Sequence, residues 1–489
     1  MNPLYASFNQ ADQDLAALVF SGLVRMGAHG EVLPGIAERW DINADATEFT
    51  FHLRRNALWQ DGKPVTADDV VFTAALLGSP DYAGDPALQQ VWRGATAVKI
   101  DEYTVRFVLK QPFAPFLAYC SIGLLPRHLL EGMSASRLAD AGFNRQPVGS
   151  GPYRLVALDS AHAVLEAVSG YYLGGPYIKT IEIRFFRDPR EAMNAVLRKE
   201  ADGALLPPVF QANEWAALAA RQDVRLLRET RTNSLVLYLN NGQPPFTDSR
   251  VRQALSLAID RGRVADLAAG GRATPSDLPI PPGAWAAPAE AVAPSADPAR
   301  AKSLLAEAGW TPGPDGTLTR QGKAIEFTLV ANNDPGRVAA ATEVARQLAV
   351  IGVKVQVATA GATEVLRDFI APRRYEAVLY GWDPGIDPDP YPAWDSARDT
   401  PDGGNVARYH NSEVDRLLER ARQTPDQAAR RSLYDQFVAR FRADAPSIVL
   451  YYAQDTYLLR RDIHGIEPAV LAQPSARFWD VADWYVKTR

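Results

Sequence analysis

Cysteine is nearly absent from this 489-residue chain, where Cys120 stands alone and no internal disulfide can form. A chain of this length buries enough apolar surface to fold without one, so both reducing and oxidising compartments remain open. Long hydrophobic runs are missing too, and none approaches the ~20 residues of a membrane-spanning helix. The six histidines, at positions 29, 52, 128, 162, 410 and 464, have no ligating partner at helical spacing, which argues against a locally encoded zinc site. Charge is balanced, with 52 basic and 57 acidic residues and no block of one sign, so neither nucleic acid nor an anionic membrane is indicated as a partner. The start, Met1-Asn2-Pro3-Leu4, lacks the basic and apolar regions of a signal peptide. That fits a cytosolic protein, or one from which such a segment has been removed.

Catalytic signatures are equally scarce. Neither a phosphate-binding G-x-x-x-x-G-K-[ST] loop nor a G-x-G-x-x-G after a strand occurs, and Gly149-Ser150-Gly151, followed by Pro152, reads as a turn rather than a nucleophile elbow. Asp383, Asp387 and Asp389 alternate with prolines and lack the terminal glutamate of a calcium loop. No cofactor and no metal site is expected.

Length predicts two to four domains. Alternating apolar positions at Phe49–Arg54, Thr104–Leu109 and Thr180–Phe185 predict half-buried strands. Thr66-Ala67-Asp68-Asp69 opens a helix in capping-box style. Beyond Pro244-Pro245 the period becomes helical, with Val251, Ala254, Leu255, Ala258 and Ile259 behind Thr247 or Asp248, and a second helix behind Asp297-Pro298. Residues 325–380 then read strand, helix, strand, helix, strand, which predicts a parallel sheet covered by helices. Ligands of such sheets gather beyond the carboxyl ends of the strands. That rule singles out Gly381-Trp382-Asp383-Pro384-Gly385-Ile386-Asp387-Pro388, either as a ligand-bearing rim or as a proline-braced turn with Trp382 capping the core.

Several blocks carry a family resemblance. They include Leu18–Arg25, Gly30–Trp40, Trp59–Phe72, Pro147–Tyr153, Pro245–Ser256, Ala301–Trp310 and Tyr409–Asp415. In order and over nearly the whole chain, they resemble the extracytoplasmic solute-binding proteins of peptide-type ABC importers, among them oligopeptide-, dipeptide- and nickel-binding proteins. The resemblance implies an α/β fold, a two-lobed periplasmic-binding-protein clamp of type II-like architecture with an additional inserted domain. Lobe I would comprise 1–44, 153–243 and 454–489, the inserted domain II 45–152 and lobe III 244–453. The chain would cross between lobes near Asn241–Phe246 and Tyr451–Gln454.

It also implies a ligand wall of Phe8, Asn9 and Gln10 in lobe I, Trp92 and Arg93 in domain II, and Asn233 near the hinge. From lobe III it adds Tyr380, Gly381, Trp382, Asp383, Gly385, Asp387 and Trp394. Peptide-binding relatives often carry an Asp three residues after the Trp. Here that place is Gly385, leaving Asp383 or Asp387 to meet a ligand amine. The implied protein is an extracytoplasmic monomer that binds a peptide or similar small solute and meets the permease and ATPase subunits of an importer. Oligosaccharides remain an alternative cargo, and a hydrolase is the alternative from another class.

Overall fold

The structure, a computed structural model, describes residues 1–6, 9–207, 210, 212–289 and 293–487. Its backbone is organised by two long antiparallel strands, Val224–Leu239 and Ser447–Arg460, which run through both halves of the molecule. They sit in an eight-stranded sheet. Along the sheet come Gly203–Leu206, Ser447–Arg460, Val224–Leu239, Ala377–Trp382, Glu326–Asn332 and Lys354–Ala360. The last three are mutually parallel, with Leu329 beside Ala377 and Phe327 beside Val355. The strands of 325–380 are thus parallel as expected, and Ala377–Trp382 also pairs antiparallel with Val224–Leu239, which makes the whole sheet mixed.

Register explains where the two halves join. Val224 to Thr230 pair with Arg460 to Gln454; pairing resumes only at Ser234, opposite Tyr452. Three residues, 231–233, thus face the single residue Ala453, a bulge that kinks one strand against the other. This bulge stands about ten residues before Asn241–Phe246, where the first crossing between lobes is expected. Asn241–Phe246 is sealed into the far end of lobe III: Asn241 Nδ2 donates to the carbonyls of Leu239, Ala407 and Pro446, and Phe246 is fully buried.

Strand alternation builds two cores on lobe III. Leu235, Leu237 and Leu239 face one cluster, with Leu255, Leu305, Leu329 and Val344. Val236 and Tyr238 face the other, with Trp394, Tyr434 and Phe437. Helices close both faces, and their starts are locally encoded: Asp248, Asp297 and Asp334 accept backbone N–H bonds from Arg250, Arg300 and Arg337.

The other half has one large core and a smaller one, the latter of Val196, Leu206, Trp215, Leu218, Val224 and Leu458. In the large one, Leu15, Leu18, Val19, Leu459 and Trp484 pack in the same cluster as Phe49, Phe51, Phe107 and Phe116. A four-stranded antiparallel sheet of Ala37–Ile42, Glu48–Leu53, Thr104–Leu109 and Ala95–Asp101 forms its outer part, and the helix Ala67–Leu77 packs on that sheet. The hairpin formed by the first two strands straddles residue 45, so the expected insertion boundary cuts a unit that folds as one.

Candidate functional site

The carboxyl end of Ala377–Trp382 opens directly onto the bulge. Trp382 lies opposite Ser234, whose hydroxyl donates to the Trp382 carbonyl at 3.3 Å. One residue on, Asp383 turns back onto the hinge: the Thr232 hydroxyl donates to Asp383 Oδ1 at 2.8 Å, and the Gly385 N–H donates to the same oxygen at 2.9 Å. Gly385 holds φ at +77°, a left-handed turn that a side chain disfavours. The Asp383 carboxylate is thereby oriented, stays exposed, and has no ion-pair partner among the described residues.

Other acids of the loop are consumed internally. Asp387 is buried in a bidentate pair with Arg430, whose guanidinium is itself stacked near Trp285 and Tyr434. Burial alone would lower the Arg430 proton affinity; the adjacent Asp387 reverses this and holds the guanidinium charged. Asp389 accepts from Arg422 Nε at 2.8 Å. Asp387 is therefore not a ligand-facing acid: it anchors the loop to the helix Gln427–Asp444.

Trp394 is displaced from the expected site for a similar reason. It is fully buried in lobe III, stacked on Tyr238 at 5.9 Å and edge-on to Phe441 at 4.7 Å. Trp92 likewise belongs to a core, packed edge-on against Phe107 and Phe116 at 5.7 and 5.4 Å. Trp382 and Tyr380 lie between these extremes. Each is half-buried and packs against the Trp394 cluster, and the Trp382 Nε1 has no hydrogen-bond partner.

On the opposite side, Asn9 is exposed and caps the helix Gln10–Val19, accepting from Ala11 and Asp12 N–H. Gln10, also exposed, donates to Asp14 Oδ1 at 2.7 Å. Asp14 in turn holds the buried Arg477 through both oxygens, at 2.9 and 2.6 Å. Phe8 lies outside the described residues. Arg93 is exposed on domain II, and Asn233 is half-buried in the bulge. Sequence reasoning missed Thr232, which aims Asp383, and Arg337, whose guanidinium lies against Gly381. Neither stands in a recognisable motif, and both reach the loop only through sheet pairing.

Beyond the hinge strands, the two halves touch at several places among the described residues, one being the Arg272 guanidinium 4.6 Å from the centre of the Trp215 ring. The Ala114 N–H donates to the Arg422 carbonyl at 2.6 Å, with the Arg422 guanidinium over the Phe113 and Tyr391 rings. The Trp285 N–H donates to the His29 carbonyl at 2.8 Å. Open pockets of about 790 and 310 Å³ lie elsewhere, at Arg145–Pro147 with Leu155–Ser160 and around Asn241, Arg252 and Arg408. Neither is lined by the Trp382 loop. Among the described residues no cluster of His, Cys, Asp or Glu could hold a metal ion, and no helix is long and apolar enough to cross a membrane.

Comparison with known proteins gives this geometry a context. The oligopeptide-binding protein AppA of Bacillus subtilis is 26% identical over 99% of this chain and 89% of its own length. Its structure with a nonapeptide superposes with a TM-score of 0.67, covering 100% of this chain and 96% of that one. NikZ from Campylobacter jejuni, in complex with Ni(L-His), is 27% identical with a TM-score of 0.70, covering 99% and 97%. The unliganded open form of the periplasmic murein tripeptide-binding protein MppA is 22% identical with a TM-score of 0.81, covering 99% and 94%. The profile described as bacterial extracellular solute-binding proteins, family 5 Middle, matches residues 31–405. With more than half of its length matched, the chain belongs to the bacterial extracellular solute-binding proteins of family 5.

Proposed function

We propose that this protein captures a peptide or a similar small solute between its lobes, outside the cytoplasm, and delivers it to the permease of an ABC importer without altering it chemically. The observation that carries the reading is the loop Trp382–Gly385. It sits at the carboxyl ends of parallel strands, faces the bulge between lobes, and presents an oriented carboxylate, Asp383, with no ion-pair partner among the described residues. Asp383 takes the part of the Asp that Gly385 leaves vacant, receiving the ligand's amine. Trp382, Gly381 and Tyr380 line the lobe III wall, while Asn9, Gln10 and Arg93 remain the candidates across the groove. We draw the lobe boundaries through 231–233 and Ala453, with 45–152 and lobe I acting as one body because they share a core.

The lobes stand in the open arrangement in this reading. The chain superposes better on the unliganded open form than on the two ligand complexes, although it is more similar in sequence to the latter. Two strands with a three-against-one bulge form a narrow hinge, and ligand would bias it toward closure. Mass spectrometry of solute released by gentle unfolding should identify a non-covalent peptide-class cargo. Small-angle scattering should show the radius of gyration falling when that cargo is added back. A cargo that leaves chemically changed on a catalytic timescale would overturn the carrier reading, and an unchanged radius would overturn the open clamp.

A further inference from the structure

The open pocket of about 310 Å³ around Asn241, Arg252 and Arg408 stands apart from the groove between the lobes. Leu239 pairs with Ala377 and Ser234 with Trp382, so Asn241 lies at the amino end of the strand whose carboxyl end carries the Trp382 loop. At the rise of an extended strand, the two ends are roughly 17 Å apart.

Two guanidiniums line the pocket. Arg252 is 6% exposed and makes no ion pair among the described residues; its bonds go to the carbonyls of Phe246, Asp444 and Ala445. A guanidinium carries five N–H groups, so each Nη of Arg252 keeps one without an acceptor there. Arg408 is held by its Nε, 3.3 Å from Asp399 Oδ2, and neither Nη makes a hydrogen bond among the described residues. Its Nη1 lies against Gly242, where a Cβ would stand 3.3 Å away. Asp399 is itself shared, with Arg373 Nε 3.6 Å from Oδ1 and His410 Nε2 2.9 Å from Oδ2. A buried or shared cation short of counter-charge is a costly arrangement that a bound anion relieves, and the guanidinium fork matches the oxygens of an oxyanion.

The same pocket holds an acceptor. Asp444 Oδ2 accepts from the Tyr409 hydroxyl and from Asn411 Nδ2, while Oδ1 accepts nothing among the described residues. A carboxylate repels a bare oxyanion but accepts strongly from one that carries a hydroxyl. We propose that this pocket binds inorganic phosphate, with Arg252 and Arg408 taking its charged oxygens and Asp444 Oδ1 accepting its P–OH. Sulfate, of the same shape, has no hydrogen to offer and sets a bare oxygen against Asp444. The site belongs to lobe III alone and does not depend on what the groove carries.

The test is isothermal titration of the full chain at pH 8 with phosphate, sulfate and glycerol 3-phosphate, at matched ionic strength in sodium chloride. An ester phosphate loses its last proton at about pH 6, so all three are then mainly dianions and only inorganic phosphate keeps a P–OH. The wild-type protein should bind phosphate about tenfold or more tighter than the other two, the worth of one charge-assisted hydrogen bond. Arg408→Gln should weaken phosphate by about tenfold, and Arg408→Lys, which keeps a charge but not the fork, by less. Gly242→Ala should also weaken it, by crowding Nη1. Asp444→Asn leaves an oxygen for Tyr409 and Asn411 and turns a donor to the pocket, so it should bind sulfate and phosphate alike. Trp382→Ala should bind phosphate as the wild type does. Melting curves recorded without phosphate identify which variants are folded and can be compared. The proposal is overturned if the wild type binds no phosphate, or binds sulfate or the ester equally well. It is also overturned if folded Arg408→Gln and Gly242→Ala both bind phosphate normally, or if Trp382→Ala abolishes binding, which would place the ion in the groove.

Discussion

Glu229 offers a direct check on the energetics of the hinge strands. It is 1% exposed, lies one residue before the register break, and has no well-formed hydrogen bond to either carboxyl oxygen among the described residues, the Ala469 backbone N–H approaching only weakly. Asp455 stands opposite it on the neighbouring strand but is already held by Arg231. Burial, partly offset by Arg477 and reinforced by Asp455 and Asp480, pushes the Glu229 carboxyl from an ordinary 4.5 up to about 8. The folded protein thus holds this proton more tightly than the unfolded chain does. Its contribution is fully present below pH 4.5 and is lost as pH rises toward 8. Each unit of that interval is worth ~1.4 kcal/mol, which places an upper limit of several kcal/mol on the loss.

Glu229→Gln removes the titration and keeps the shape. The variant should gain about 1–3 kcal/mol over the wild type at pH 8.5 and almost nothing at pH 4.5, allowing for an amide that is equally short of partners. For a chain this long such a gain moves the melting point by only about 1–3 °C, so isothermal urea unfolding is the better assay. Tryptophan fluorescence at the two pH values would read the midpoints. An equal shift of the urea midpoint at both pH values would refute the argument, since it would mean that Glu229 does not change its proton across that range.

Three further outcomes are expected. Asp387→Asn leaves Arg430 buried without its counter-charge and should cost about 3–5 kcal/mol, read as an earlier urea midpoint. Trp394→Ala removes a fully buried ring between Tyr238 and Phe441 and should cost about 3–5 kcal/mol of stability, with a soluble but early-melting protein as the readout. Trp382→Ala, at a half-buried ring, should weaken solute binding roughly tenfold by titration and lower stability less than Trp394→Ala does. Normal binding by a variant that melts as early as Trp394→Ala would make Trp382 a core residue only.

Much of this protein is local, and its sequence alone determines that part. Asp248, Asp297 and Asp334 start helices because a carboxylate two or three residues ahead of free N–H groups finds them whatever lies around it. Alternation along 325–380 determines which segments become strands and helices, and the run of family blocks determines the fold class. The destination of each site residue is a different matter. Trp92, Trp382 and Trp394 carry the same side chain, yet one fills a core with Phe107 and Phe116, one is half-buried at the margin of the Trp394 cluster and one is fully buried within it. Asp383 and Asp387 stand four residues apart; one is exposed and free because Thr232 turns it toward the hinge, the other buried because Arg430 lies 43 positions away in sequence and next to it in space. The bulge at 231–233 depends on pairing with a strand more than 200 residues later. Burial and charge pairing are set by neighbours distant in the chain, and only the tertiary structure brings those neighbours together.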